Sequence, residues 1–287
     1  MKLASAVVLY NPDKSILDNI QTYLPFSDVL YVMDNSTNKI EFIDEIKKLD
    51  KVEYVSMHGN QGIAAALKMA TEKAITDGYD FLLTMDQDSQ YPTEDFPIVK
   101  KYLLTLPEDV AIVTINYTDC NLKVNVLSKN FTTPIEKCIT SGSIISLRAY
   151  QTIAGFNADL FIDFFDHDLS LQFLEKKYQL VIFPNICLKH ALGTEQHLKF
   201  LWIKKERHIH SPLRYYYQYR NYNYLKRHSS KTYRKILEKI FHREFAFIAS
   251  LKRICLQSNH YQIYKMIRRG IHDGKKGILG PYKEKNK

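Results

Sequence analysis

The sequence predicts an α/β protein built on a mostly parallel, doubly wound sheet, followed by a basic helical extension. In the first half, apolar β-branched runs alternate with segments of helical spacing, and each run ends in a polar or glycine turn. Near residue 196 this alternation stops, and basic and aromatic residues become dense. We therefore expect one domain over residues 1–195 and an extension over residues 196–287.

Four strands and three connecting helices are predicted in the first ninety residues. The strands are Leu3–Tyr10, Val29–Met33, Val52–Ser56 and Phe81–Met85. The helices are Ser15–Leu24, Ile40–Leu49 and Ile63–Thr76. Because such strands run parallel, the turns that follow them meet at one edge of the sheet, where this architecture binds ligands.

Two carboxylates follow the fourth strand at once, in the sequence Asp86-Gln87-Asp88. Like charges this close repel unless a metal ion, a basic side chain or solvent compensates them. Carboxylate oxygens suit a hard divalent cation, which also bridges phosphates. An exposed turn is the alternative, since Asp-x-Asp is common by chance.

A second acidic group lies among aromatic residues, as Asp163, Asp166 and Asp168. Burial near aromatic rings raises the pKa of a carboxyl and makes it a better proton acceptor. The alternative is that these aspartates stabilise a helix N-terminus, and we expect Asp168 to open a helix over Leu169–Lys177. His190 ends a later strand-like run, as a structural residue or as a third metal ligand.

The composition is that of an ordinary globular protein: 287 residues, 45% hydrophobic and 25% charged. No apolar run is long enough to cross a bilayer, and the first residues predict no secretory signal. The four cysteines lack metal or redox spacing, so we expect thiols in a reducing cytosol.

The net charge of +9 divides unevenly along the chain. Residues 1–195 hold 17 Lys and Arg against 26 Asp and Glu, whereas residues 196–287 hold 23 against 5. The basic extension predicts an anionic partner, which could be lipid, nucleic acid or a phosphorylated substrate. A merely solvated helical surface is the alternative.

Several enzyme classes are disfavoured. The turn Gly59–Gly62 lacks the full G-x-G-x-x-G fingerprint, and there is no P-loop and no nucleophile elbow. Nicotinamide chemistry, ATP hydrolysis and catalysis by a serine or cysteine nucleophile are therefore not expected.

Seven motifs occur in a recognisable order along the chain. They are VVLYNP (7–12), VMDNST (32–37), GNQGIAAA (59–66), TMDQDS (84–89), SGSIIS (141–146), GFNADLFIDFFDHDLSL (155–171) and LKHALG (188–193). Together they resemble glycosyltransferase family 2, inverting enzymes with the GT-A fold. PLRYYYQYRN (212–221) is most similar to the bacterial rhamnosyltransferase branch, and the resemblance covers roughly residues 3–225.

The resemblance implies a role for each matching position. Asp166 would be the catalytic base. The implied nucleotide-sugar-binding residues are Asn11, Asp34, Asn60, Gly62, Asp86 and Gln87. The implied ligands of a Mg²⁺ or Mn²⁺ ion are Asp86, Asp88 and His190. Residues 1–90 would then form the nucleotide-sugar half of the catalytic domain and residues 91–195 the acceptor half.

The resemblance also implies partners and a location. The donor would be a dTDP- or UDP-sugar, with dTDP-rhamnose favoured, and the acceptor a hydroxyl of a cell-surface polysaccharide, such as capsule or cell wall, or of a lipid-linked oligosaccharide. The protein would lie in the cytoplasm, peripheral at the inner face of the plasma membrane, with residues 196–287 on anionic lipid. The alternatives are a nucleic-acid-binding protein that uses the same basic region, although no nucleic acid is expected, and a non-catalytic nucleotide-sugar-binding protein.

Two positions depart from the family pattern. A usual Leu-Arg pair after the acidic loop is Leu171-Gln172 here, which removes a cation that could contact phosphate or sugar. The segment Lys176–Tyr178 lacks the glycine that normally helps to end that helix. Neither departure removes a proposed catalytic group, but the first leaves donor selectivity open.

Overall fold

The computed structural model describes residues 1–117, 132–190, 196–200, 203–207, 211–244 and 260–284. These residues fall into two compact units. The first contains the described residues of Met1–Phe161, Phe165–His190 and the chain from Gly280 onward. The second contains Ile162–Phe164 and the described residues between Ala191 and Leu279.

The regular elements are numbered here in chain order. The strands are β1 Leu3–Leu9, β2 Val29–Asp34, β3 Val52–Ser56, β4 Phe81–Asp86, β5 Ser89–Gln90, β6 Val110–Asn116, β7 Thr133–Ile135, β8 Ser143–Ser146, β9 Gln179–Cys187, β10 Lys189–His190, β11 Gln196–Phe200 and β12 Ile203–Arg207. The helices are α1 Ile16–Gln21, α2 Ile43–Lys47, α3 Ile63–Thr76, α4 Phe96–Leu104, α5 Leu147–Tyr150, α6 Phe165–Glu175, α7 Pro212–His228, α8 Lys231–Glu244 and α9 His260–Lys276. Short 3₁₀ helices occupy Leu24–Phe26, Thr93–Asp95 and Ala158–Leu160.

Eight strands form the central sheet of the first unit, in the order β3-β2-β1-β4-β8-β6-β9-β7. The strands β1 to β4 are parallel to one another, as the alternation of strands and helices predicted. β8 enters between β4 and β6 and is antiparallel to both, and β7 is antiparallel to β9. The sheet is therefore parallel in its first half and mixed in its second.

The four strands and the third helix predicted in the first ninety residues are confirmed, whereas the first two helices are shorter than predicted, the second spanning Ile43–Lys47 instead of Ile40–Leu49. The four strands agree with prediction to within one residue, and α3 begins and ends where it was predicted. The first helix is shorter than expected because the chain turns into a 3₁₀ helix at Leu24, with Pro25 in its first turn. All seven residues of β1 are buried, which is typical of a central strand covered on both faces.

The cysteines do not all match their prediction. Cys138 is a free, buried thiol, as expected. Cys187 is disulfide-bonded, so the expectation of thiols was wrong for this residue.

The second unit is mainly helical, and α9 packs along α7 through Ile263 and Ile267. Gly270 and Gly274 of α9 lie directly against the α7 backbone, at Tyr216 and Arg220, where a Cβ atom would not fit. The antiparallel hairpin of β11 and β12 was not predicted, so the extension is not wholly helical. Among the described residues, no helix is long and apolar enough to span a membrane.

Candidate functional site

The polar turns predicted to meet at one edge of the sheet do so. In the strand register Leu9 pairs with Asp34, and Val8 pairs with Asp86, so these aspartates end the strands on either side of β1. Asp34 also pairs with Ser56, the last residue of β3. The loops after β1, β2, β3 and β4 therefore leave the sheet side by side.

Asn11 joins the loop after β1 to the loop after β2. Its Oδ1 accepts hydrogen bonds from the backbone N–H groups of Thr37 at 3.2 Å and Asn38 at 3.0 Å. Its own N–H donates to the Ser36 hydroxyl at 2.9 Å, and its φ of 46° places it in the left-handed region. The Asn11 amide thus holds the loops after β1 and β2 together at this edge of the sheet.

Asp34 is held by two donors at the end of β2. Its Oδ2 accepts from the Tyr54 hydroxyl at 2.6 Å, and its Oδ1 accepts from the Ser36 N–H at 2.9 Å. Burial, with the bond to Asp34, raises the pKa of Tyr54 to about 12, so this hydroxyl stays a donor at neutral pH. The Asp34 carboxylate is consequently fixed in orientation at the edge of the sheet.

The glycine turn before α3 is built around two asparagines. The Oδ1 of Asn60 accepts from the Gly62 N–H at 3.0 Å and from Asn35 Nδ2 at 3.2 Å. The Oδ1 of Asn35 accepts in turn from the Gln61 N–H at 2.7 Å. Asn35 is only 3% exposed and was missed in the sequence, although it directly follows Asp34 in the motif VMDNST.

Gly62 is required for both conformation and space. Its φ is +88°, and a Cβ atom would lie 2.6 Å from Phe161 Cδ2 and 2.7 Å from the Phe161 carbonyl oxygen. The Ala64 N–H donates to that same carbonyl oxygen at 3.3 Å. The glycine turn and the segment that leads into α6 are therefore in direct contact.

The turn that carries Asp86 and Asp88 is fixed through its neighbours. The Asp86 N–H donates to the Ser141 hydroxyl at 3.1 Å, and that hydroxyl donates to Ser89 Oγ at 2.9 Å. Asp86 is half-buried and Asp88 is exposed. Ser141 belongs to the motif SGSIIS. The contact of this motif with the turn depends on the pairing of β4 with β8, which neither segment predicts by its own sequence.

Gln87 lies between the two aspartates and links two loops. Its Oε1 accepts from the Tyr10 N–H at 2.8 Å, and its backbone carbonyl accepts from Asn19 Nδ2 at 2.8 Å. The structure thus brings Gln87 to the predicted edge, where its amide holds the loop after β1.

His190 comes close to the same turn through the backbone. It pairs with Ser89 in the two-stranded sheet of β5 and β10, one residue beyond Asp88. Its side chain lies outside what the structure describes. The backbone of His190 therefore lies close to the turn of Asp86 and Asp88, as the sequence predicted.

The donor set suits a divalent cation that is completed by substrate. In the described part of the chain, no group of three or more His, Cys, Asp or Glu side chains is close enough to hold a metal ion. Mg²⁺ is commonly bound by one or two carboxylates together with substrate phosphates, rather than by an all-protein cage. The paired carboxylates of Asp86 and Asp88 fit that pattern.

Asp166 lies in the first turn of α6 with its side chain 15% exposed. Its Oδ1 accepts from the His167 N–H at 2.8 Å, and His167 Nδ1 lies 2.7 Å from the same oxygen. Burial alone would raise the pKa of the Asp166 carboxyl, but the charge and hydrogen bonds of His167 outweigh it and hold the pKa below its ordinary value. The expectation of a raised pKa was wrong because the adjacent histidine was overlooked.

Asp168 does not open the helix, since α6 begins three residues earlier at Phe165. Its Oδ2 accepts from Gln172 Nε2 at 2.8 Å. Gln172 also bonds both backbone groups of Gly155, donating to the carbonyl at 3.0 Å and accepting from the N–H at 3.1 Å. Gln172, which stands where the family usually has arginine, therefore links α6 to the segment around Gly155 within the first unit.

The family model for glycosyl transferase family 2 matches residues 9–166, more than half of the chain. That range contains the site residues from Asn11 to Asp166. His190 lies beyond it.

A curated relative and solved structures agree with this match. The chain is 28% identical over 294 residues to the dTDP-rhamnosyl transferase RfbF of Shigella flexneri, covering 96% of each protein. TarS 1-349 of S. aureus has a TM-score of 0.58 at 15% identity, over 96% of this chain and 81% of that one. Its complex with UDP-GlcNAc gives 0.57 at 14% identity, covering 96% and 92%. These structures confirm the predicted GT-A fold.

Proposed function

Since the chain belongs to glycosyl transferase family 2 and is a nucleotide-sugar glycosyltransferase, we propose that it transfers rhamnose from dTDP-rhamnose to a hydroxyl group of a cell-surface polysaccharide or a lipid-linked glycan. The observation that carries the proposal is the set of polar groups at the carboxyl edge of β1, β2 and β4. The rhamnosyl specificity is supported by the likeness to the Shigella enzyme over nearly the whole of both chains.

The nucleotide half of the donor would lie against the loops after β1, β2 and β3. Asp34 presents a carboxylate whose orientation is set by Tyr54 and Ser36, which suits hydrogen-bond donors on a nucleobase. Asn60 and Gly62 would line the same site, in a turn that the Asn60 Oδ1 holds through the Gly62 N–H. Asn11 and Gln87 keep these loops at a fixed spacing.

The diphosphate would lie over the turn of Asp86 and Asp88. These carboxylates, with His190 as a third ligand, would hold a Mg²⁺ or Mn²⁺ ion against the donor. When bound, such an ion neutralises the negative charge that develops on the departing nucleoside diphosphate. The hydroxyls of Ser141 and Ser89 hold the turn through their hydrogen bonds to the Asp86 N–H and to each other.

Asp166 would act as the general base of a single displacement. Its pKa is held below the ordinary value, so the carboxylate is ionised at neutral pH, as a general base has to be, although the same shift makes it a weaker base than a carboxylate of ordinary pKa. It would take the proton of the acceptor hydroxyl while that oxygen attacks the anomeric carbon from the face opposite the leaving group. One inline attack inverts the anomeric configuration.

A thermal-shift screen of nucleotide sugars tests the donor assignment. Ligands that bind only the folded protein raise its melting temperature, by an amount that grows with the ratio of ligand concentration to Kd. We expect dTDP-rhamnose with Mn²⁺ to give a larger shift than UDP-GlcNAc at the same concentration. A larger shift with UDP-GlcNAc would reassign the donor, and no shift with any nucleotide sugar would contradict the function.

The base assignment is tested by replacing Asp166 with asparagine. The carboxylate is lost but the shape is kept, so turnover should fall by about two to four orders of magnitude while donor affinity stays nearly unchanged. Turnover is measured as release of dTDP from dTDP-rhamnose. Undiminished turnover would place the base elsewhere.

A further part of the proposal is that the second unit contacts an anionic membrane at the cytoplasmic face. The apolar face of α9 packs on α7, which leaves Tyr261 75% and Tyr264 52% exposed. Lys265 and Arg268 are exposed on the same side, and Asp273, the acidic residue of this helix, is buried. Tyrosines among cationic side chains suit the headgroup region of an anionic bilayer.

Vesicle binding separates this surface from a general effect of charge. Reversing Lys265 and Arg268 to glutamate should weaken binding to phosphatidylserine vesicles more than tenfold, since each basic residue near the surface contributes about 1 kcal/mol. The same reversal at Lys100 and Lys101, exposed on α4, is the matched control. Equal losses in both variants, or no binding of the unaltered protein at low salt, would contradict the assignment. Saturable binding to RNA or DNA instead of vesicles would favour a nucleic-acid partner.

A further inference from the structure

The loop that leads into α6, residues 161–164, has an unusual backbone. Phe161, Asp163 and Phe164 all have positive φ, at 65°, 63° and 66°. Phe161 has a ψ of −66°, which makes it the rare and strained form of γ-turn. Non-glycine residues keep such conformations only where the surrounding structure enforces them. Something must therefore hold this loop.

The side chains that hold residues 162 and 163 come from α7. Asn221 Nδ2 donates to the carbonyl oxygens of Ile162 and Asp163, both at 2.8 Å. The Arg214 guanidinium reaches the Asp163 carboxylate through Nε and Nη2, all at 3.2 Å. Backbone and side chain of the loop are thus both anchored to one helix.

Asn221 is itself oriented by a buried arginine. Its Oδ1 accepts from Arg220 Nε at 2.9 Å, and both side chains are 0% exposed. The Arg220 guanidinium lies over the rings of Tyr216 and Tyr217, at 5.6 and 4.8 Å from their centroids. The tyrosine-rich motif of residues 212–221, expected from the sequence to be part of a basic surface on anionic lipid, therefore also orients the amide that holds the loop.

Phe164, the last residue of the loop, is held by the aromatic rings of two other side chains. Phe164 is 4% exposed, and its ring lies 6.2 Å from Tyr222 and 6.3 Å from Phe241. Tyr222 and Phe241 stack on each other at 3.6 Å. The next residue, Phe165, begins α6, and Asp166 follows it.

We propose that Asn221 and Arg214 are positioning residues for the catalytic base. By holding the loop in a conformation in which Asp163 and Phe164 keep positive φ, they set the direction in which the chain starts α6, and with it the place of the Asp166 carboxylate. The inference rests on the proposed role of Asp166. It gives α7 a part in turnover through the segment that leads into α6.

Asn221→Ala is the first test, with Asn223→Ala as its matched control. Asn223 lies on the same helix, and its Nδ2 donates to the Tyr219 carbonyl inside that helix at 2.7 Å. We expect kcat for dTDP release from dTDP-rhamnose to fall about 10- to 100-fold in Asn221→Ala, the range for a base displaced by roughly 1 Å. KM for the donor should stay within about twofold of the wild type. Asn223→Ala should match the wild type in both constants.

Hydrogen exchange gives a readout independent of activity. Amides of residues 162–166 should exchange faster in Asn221→Ala than in Asn223→Ala, because the loop loses two of its anchors. If Asn221→Ala fails to fold, variants of Arg214 provide the test instead. The Arg214 side chain is 46% exposed, so its removal should leave the fold intact. Arg214→Ala should lower kcat several-fold with KM unchanged, and Arg214→Lys should restore part of the loss.

Failure of this inference is distinguishable from failure of the proposed function. If Asp166→Asn is inactive while Asn221→Ala and Arg214→Ala turn over like the wild type, the positioning role is wrong and the base assignment stands. If Asp166→Asn keeps full turnover, the base assignment is wrong and the positioning role falls with it. A parallel rise in KM and fall in kcat in Asn221→Ala would indicate general disruption and would also overturn the proposal.

Discussion

Substituting alanine for each of two glycines in one turn measures how tightly the turn before α3 is packed. Gly59 has a φ of +105° and Gly62 a φ of +88°, so both substitutions force alanine into the left-handed region. That conformation costs about 1–2 kcal/mol for a residue with a Cβ atom. At Gly59 nothing lies within 4 Å of the new Cβ, so we expect this cost alone.

At Gly62 the new Cβ would also meet Phe161, at 2.6 Å from Cδ2 and 2.7 Å from the carbonyl oxygen. Because one of these atoms is backbone, the segment has to move, and overpacking of this kind adds about 1–3 kcal/mol. Gly62→Ala should therefore lower the free energy of unfolding by about 2–5 kcal/mol, against about 1–2 kcal/mol for Gly59→Ala. The movement should also stretch the hydrogen bond from Ala64 to Phe161.

Urea unfolding of both variants beside the wild type supplies the comparison. Calorimetric titration with dTDP-rhamnose then tests the function of the turn, and we expect the larger loss of affinity in Gly62→Ala. Equal losses of stability in the two variants would refute the tight contact between Gly62 and Phe161.

Three further predictions concern single side chains. Replacing His167 with asparagine removes the charge that lowers the pKa of Asp166, so the pKa should rise and the acid limb of the kcat profile should move to higher pH; superimposable profiles would contradict this. Lys177, two residues beyond the end of α6, has a φ of 65° where the family has glycine, so Lys177→Gly should raise the free energy of unfolding by about 0.5–1 kcal/mol; a loss would show that the lysine side chain outweighs the strain. Tyr216→Phe deletes a hydroxyl that donates to the buried Asp273 at 3.0 Å, which should cost about 1–3 kcal/mol in urea unfolding; a neutral effect would show that the carboxylate is satisfied without it.

The parallel half of the sheet was predictable because its signals are local. Each strand is a short apolar run, and each turn carries residues that break regular structure, such as Asn11-Pro12 and the glycines before α3. Once those strands are parallel, the meeting of Asp34 and Asp86 at one edge follows from topology alone.

Interactions between distant segments were not predictable in the same way. The insertion of β8 beside β4 brings Ser141 to the aspartate turn, and nothing in either segment specifies that pairing. The same holds for α7, which the sequence predicted to be part of a basic surface, because Arg220 and four of its tyrosines are buried in the structure, namely Tyr215, Tyr216, Tyr217 and Tyr222. The role of Asn221 depends on contacts 58 and 59 residues apart.

The direction of the pKa shift of Asp166 was predicted wrongly for a different reason. Its aromatic neighbours were correctly recognised as a source of burial, which raises the pKa of a carboxyl. The sign of the net shift depended on the rotamer of His167, which directs Nδ1 to the carboxylate. The sequence shows that Asp166 and His167 are adjacent, but adjacent side chains on a helix often point apart. Their contact could therefore not be predicted from adjacency alone.

The most direct test of the account is a calorimetric titration of dTDP-rhamnose into the wild type and Asp88→Ala, each with and without Mn²⁺. The wild type should bind the donor tightly only when the cation is present, and Asp88→Ala should show the weak, cation-independent binding of the metal-free wild type. Unchanged affinity in Asp88→Ala, or equal affinity of the wild type with and without Mn²⁺, would contradict the claim that the carboxylates after β4 hold the donor diphosphate through a cation.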